Sequence, residues 1–184
     1  MPKDQGLFDS AKATVVGVVQ GTGAVVGGIA GAVAATVGKV LEGAGDVASK
    51  VVDVAVDTTG GAIKGLVETG GDLVGGVADI TGGVLKGVAQ VGGDVVAAAH
   101  GVAHAAVMGA ADTGADVAQV ALNAVKGMID AVREVGGDVA GTTKGAVRGA
   151  LEGAGEISET TMNSVKDVLE TGIDGAKDVI DELK

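Results

Sequence analysis

From Val15 to Val179 the chain is built of fifteen consecutive eleven-residue units without insertion or deletion, and no other feature constrains its folding so tightly. Thr81 to Val91 reads TGGVLKGVAQV, Val125 to Val135 reads VKGMIDAVREV, and Val147 to Ile157 reads VRGALEGAGEI. With each unit numbered 1 to 11, positions 1, 4, 5, 7, 8 and 11 hold no charged residue at any of their ninety sites, in a chain that is 20% charged. Eleven residues in three turns is about 3.67 per turn, close to the natural α-helix, so each position keeps a fixed angle around the axis. Positions 11, 4, 8, 1 and 5 therefore form one apolar arc, and positions 6, 10 and 3 lie opposite it. Position 10 is acidic nine times, as at Asp57, Glu68, Asp79 and Glu134, and never basic.

The expectation is an all-α protein, a long amphipathic helix or a helical hairpin, packed side by side in an assembly. Residues 1–14 form an N-terminal tail, 15–179 the repeat array, and 180–184 the C-terminal end. The apolar face is carried at positions 4 and 5 by Val18, Val19, Val40, Leu41, Val51, Val52, Ile63, Leu73, Val84, Leu85, Val95, Val96, Val117, Met128, Ile129 and Leu151. Arg133, Lys144, Lys166 and Lys177 at position 9, with Lys126 and Arg148 at position 2, make one border of the arc basic in the C-terminal half; their stems can cover apolar surface there. Gly70-Gly71, Gly92-Gly93 and Gly136-Gly137 are candidate bends. Each keeps the repeat in frame, as a continuous helix requires, and a straight rod of the array would be roughly 250 Å long.

Glycine supplies 35 residues, of which 21 fall at positions 2, 3 and 7, outside the arc, with those at 2 and 7 on its shoulders. At about 1 kcal/mol per Gly relative to Ala they cost an isolated helix roughly 30 kcal/mol, so a lone helix in water is marginal and something outside it must restore it. Small residues on a helix flank also let backbones approach closely. The pairs Gly61 with Gly65, Gly83 with Gly87, and Gly149 with Gly153 are the close-packing candidates.

Other function classes find little footing. One Phe and no Tyr, Trp or Cys leave no aromatic core, disulfide, thiol nucleophile or cysteine metal site. A net charge of −11 and a pI near 4.4 argue against nucleic acid and weaken the case for anionic lipid. The Met1 to Ser10 opening lacks the basic start and compact apolar run of a signal peptide, so a cytoplasmic protein, peripheral at most to a membrane or granule, is expected. Ala13 to Gly38 is uncharged and long enough to cross a bilayer, but it is Gly-rich, lacks aromatic anchors and obeys the same repeat as its neighbours. His100 and His104 share a helix face at i, i+4 but have no third ligand nearby in sequence, and read as boundary histidines rather than a metal pair. Gly38-Lys39 is followed by Val40, which fails the phosphate-loop pattern. The acids sit at repeat spacing along a solvent face, so no catalytic residue, cofactor or metal is expected.

Leu151-Glu152-Gly153-Ala154-Gly155, Thr143-Lys144-Gly145-Ala146-Val147 and Val165-Lys166-Asp167-Val168 resemble the eleven-residue amphipathic repeats of synucleins, exchangeable apolipoproteins and late-embryogenesis-abundant (LEA) desiccation proteins. The resemblance implies a chain that becomes helical on lipid or on drying. The lysine-rich core of the synuclein repeat is absent, and the chain is more apolar than most LEA proteins. The leading expectation is a non-enzymatic structural protein that assembles with itself and coats a lipid or other apolar surface or forms a filament. A LEA-like protectant is the main alternative; helical ice binding, suggested by Thr36, Thr58, Thr69 and Thr113 at position 11, is another.

Overall fold

The structure, a computed structural model, describes residues 47–183 together with Ala35. Val18, Val19, Val40, Leu41 and Thr36 lie outside the described residues, as do the boundary at residue 15 and all of the Ala13 to Gly38 segment but Ala35. The described part is all-α, with seven helices: α1 Val47–Glu68, α2 Leu73–Gln90, α3 Val95–Thr113, α4 Val117–Val135, α5 Val139–Ile157, α6 Glu159–Gly172 and α7 Ala176–Glu182.

The described repeats are helical, and a longer period in the sequence cuts them apart. Gly70-Gly71-Asp72, Gly92-Gly93-Asp94, Gly114-Ala115-Asp116 and Gly136-Gly137-Asp138 stand at every second repeat. Gly70, Gly92, Gly114 and Gly136 have φ of 71–73°, the left-handed region that a Cβ disfavours. The N–H of the next residue, at Gly71, Gly93, Ala115 and Gly137, then returns to the carbonyl of Leu66, Val88, Ala110 and Val132 at 2.9 Å, which satisfies a helix-end acceptor. The Asp starts the following helix: Asp94, Asp116 and Asp138 accept from the N–H of Ala97, Gln119 and Gly141 at 3.0, 3.1 and 2.9 Å. Asp72 holds the same extended backbone without a side-chain cap bond. Ser158 alone separates α5 from α6, and its Oγ accepts from Thr161 N–H at 3.0 Å.

Within the described residues the chain is therefore neither one rod nor one hairpin. A turn of constant length preserves the repeat frame as well as a continuous helix does, and that is why in-frame bends are compatible with folding back.

The helices pack side by side in two layers. The most extensive contacts join helices two apart in sequence, α3 with α5, α2 with α4 and α1 with α3; with α6 against α4, the helices α1, α3 and α5 form one layer and α2, α4 and α6 the other, while consecutive helices touch across the layers. The last helix, α7, packs on α5 and α6. The core is a seam of Val, Ala, Ile and Leu between the layers, including Ile63, Val77, Ile80, Leu85, Val102, Val125, Met128 and Leu169. The arc that would need an outside surface on a lone helix is covered here by the chain's own helices. Among the described helices α3 alone is long and apolar enough to cross a membrane, and it packs on α1 and α5 in its own layer and on α2 and α4 in the other.

Candidate functional site

The feature of the stack most unlike an ordinary bundle is how closely its same-layer helices approach. On α5, Gly141, Gly145, Gly149 and Gly153 recur once per turn and form a ridge against α3. A Cβ on Gly145 would stand 2.7 Å from the Val96 carbonyl oxygen, one on Gly153 would stand 3.2 Å from that of His104, and one on Gly149 would run into the backbone of His100. Val96, His100 and His104 rise in step with Gly145, Gly149 and Gly153, so α3 and α5 run parallel. A Cβ on Gly101 of α3 would likewise press on Val56 and Val52 of α1, and one on Gly109 on Ile63.

In the other layer two glycines face one another. A Cβ on Gly127 of α4 would collide with the backbone of Ala78 on α2, and one on Gly82 would stand 2.9 Å from the Gly127 carbonyl oxygen. Hydrogen bonds cross-link this pair. Thr81 Oγ1 donates to the Ala124 carbonyl at 3.0 Å, and Asn123 Nδ2 donates to the Val74 carbonyl at 2.9 Å.

Charged groups border these contacts. His100 Nε2 meets Glu152 at 2.9 Å and His104 Nε2 meets Glu156 at 3.1 Å, so both histidines tie α3 to α5. Among the described residues no group of three or more His, Cys, Asp or Glu is arranged to hold a metal ion. Lys86 of α2 pairs with Glu134 of α4 at 2.5 Å. Beside it Asp79 Oδ2 is buried with no hydrogen-bond partner; loss of solvent raises the Asp79 pKa above the usual aspartate value, against the opposing pull of Lys86.

Of the apolar-face residues within the described part, Val51, Ile63, Leu73, Val84, Leu85, Met128 and Ile129 are buried, and Val52, Val95, Val96, Val117 and Leu151 are half-buried. Gly61, Gly65, Gly83, Gly87, Gly149 and Gly153 are all buried, and Gly149 and Gly153 lie directly on the α3 backbone. Sequence reasoning missed Gly141, Gly145, Gly82 and Gly127 as contact residues. The spacing of four from Gly141 to Gly153 was the available signal on α5; Gly82 and Gly127 carry no mutual spacing that would pair them. Thr58 is buried, and the hydroxyls of Thr69 and Thr113 donate to carbonyls of their own helices at 2.8–3.2 Å, so these threonines do not present a shared outer plane. No protein-family model matches the chain, and no curated protein matches it in sequence.

Proposed function

We propose that this is a non-enzymatic structural protein whose glycine-flanked amphipathic helices assemble side by side, first with one another and then with a second copy or an apolar surface. The observation that carries this reading is the chemistry of the buried arc. It consists largely of Ala, Val and Gly repeated on helix after helix, with acids on the opposite side, so the faces are close to interchangeable. Cores of small, similar side chains specify their partners weakly compared with interlocking large ones. A repeat array of this kind contacts mainly its near neighbours, and the same contact can be made by the corresponding helix of another copy. An apolar interface can take the place of a helix neighbour, with acids left facing water, as interfacial amphipathic helices do. The chain's excess of acid favours neutral over anionic lipid.

The test is electron microscopy with parallel light scattering on the purified protein, alone at rising concentration and with neutral phosphatidylcholine vesicles. Filaments, discrete oligomers or coated vesicles are the expected outcome. A monomer at every concentration that leaves the vesicles bare would overturn the reading.

A further inference from the structure

The structure holds several surface grooves, and one of them sets two cations that have no ion-pair partner among the described residues beside an apolar wall. It encloses about 360 Å³ between α5, α6 and α7, where Leu151, Met162, Ile180 and Leu183 make the apolar wall, and Arg148 and Lys166 stand at the rim. His100 and Glu152 also line it, and they satisfy one another. Neither Arg148 nor Lys166 has an ion-pair partner among the described residues, although the chain carries 24 acids against 13 bases. In so acidic a molecule, two neighbouring cations left unpaired beside half-buried apolar side chains form a local complement to a ligand that is itself anionic at one end and apolar at the other. Leu183 adds to this, because at 45% exposure it is one of two large apolar side chains among the described residues that face water.

A larger groove of about 680 Å³ lies between α4, α5 and the α6–α7 turn, where Lys126, Arg133 and Lys144 stand among Asp130 and Asp174. There Arg133 pairs with Asp130 and Lys144 with Glu182, so two of the three cations are already engaged. The two grooves thus share basic residues of one arc border, and the smaller sets two cations without an ion-pair partner among the described residues where the larger sets one, Lys126.

We propose that the Arg148–Lys166 groove binds the carboxylate of a single-chain fatty acid, with the two cations on the head group and the chain laid along Leu151, Met162 and Leu183. The size suits one acyl chain; it is at the lower end of small-molecule sites, which span about 300–1,000 Å³. Guanidinium and ammonium groups form charge-assisted bonds to carboxylate. The protein's overall negative charge does not prevent this, because screening confines its repulsion to about 8 Å at physiological salt. This binding is separate from assembly: it needs only the folded monomer.

The test is isothermal titration of the full-length protein with octanoate, decanoate and dodecanoate below their micellar concentrations. One saturable site is expected, tightening about fourfold per added methylene until the chain outgrows the groove. Dodecyltrimethylammonium, with the same chain and opposite charge, should not bind there. Arg148→Gln with Lys166→Gln should weaken dodecanoate at least tenfold while circular dichroism stays unchanged, since Arg148 is exposed, Lys166 is half-buried and neither has an ion-pair partner among the described residues to lose. Lys126→Gln with Lys144→Gln, at the larger groove, should leave the affinity as it was. Equal binding by the Arg148→Gln/Lys166→Gln protein, loss of binding only in the other pair, or no saturable binding at all would each overturn the assignment.

Discussion

The two same-layer contacts α3/α5 and α2/α4 solve one problem by different means. Along α3/α5 a four-glycine ridge faces α3, with Gly145, Gly149 and Gly153 on its backbone and Gly141 against the Val96 side chain, and polar groups appear only at its border, in His100–Glu152 and His104–Glu156. Along α2/α4 only Gly82 and Gly127 make the close approach, and side chains cross-link the helices through Thr81 to Ala124 and Asn123 to Val74. The difference teaches that glycine here acts through the space it leaves. Its conformational cost to the helix is offset where a backbone fills that space, and is simply a cost where nothing does.

Substitutions that fill or open this space sharpen the comparison. The largest effect is expected from Gly149→Ala. Ala is the better helix former, yet its methyl would meet the His100 backbone, which cannot rotate away; a loss of about 3 kcal/mol is expected by thermal melting, as for overpacking of a tight core. On the α2/α4 side, Thr81→Val keeps the shape and removes the hydrogen bond to Ala124. It should cost about 1 kcal/mol in urea unfolding, well below the glycine change. Gly155→Ala reverses the sign. Gly155 is exposed on the same helix as the ridge, and a methyl added there would have only Met162 Sδ near it, at 3.6 Å, so the substitution should stabilise by about 0.5–1 kcal/mol.

The smallest effect concerns the buried carboxylate beside the α2/α4 contact. The Asp79 pKa is raised in the folded state, so its ionised form is penalised by folding at neutral pH, and the penalty fades as pH falls through the raised value. Asp79→Asn should therefore raise the melting temperature by ~1–2 °C at pH 7, an effect kept small by partial solvent access and by Lys86. The gap between variant and parent should narrow as pH falls toward 4, near the ordinary aspartate value. A gap that widened on acidification would contradict the assigned cause.

Helicity, the apolar arc and the packing use of Gly149 and Gly153 were all legible in the sequence, because an eleven-residue period fixes every position's angle on a helix. The turns were half legible. Gly70-Gly71, Gly92-Gly93 and Gly136-Gly137 stood out as bends, whereas Gly114-Ala115 did not, because it has one glycine where the others have two. The better signal was the Asp that follows at Asp72, Asp94, Asp116 and Asp138, since a helix-breaking Gly two residues before a capping Asp ends one helix and begins the next. Treating all fifteen repeats as equivalent averaged that alternation away. Which helices become neighbours was not legible at all. Every helix carries nearly the same arc, so nothing local marks Glu152 as the partner of His100, or Ala78 as the residue that Gly127 must admit.

The central claim is that the arcs meet within the chain, in a stack whose alternate helices are parallel neighbours. Ala97 on α3 and Ala140 on α5 are exposed near the starts of their helices, and the absence of native cysteine allows Ala97→Cys with Ala140→Cys to be labelled cleanly. Electron–electron double resonance between nitroxides at these sites, on dilute protein in water, should give a narrow distribution within about 20 Å, an interhelical spacing of 8–10 Å plus the label arms. A continuous helix would place the labels about 65 Å apart. A distribution centred there, or one broad enough to span both distances, would contradict the account.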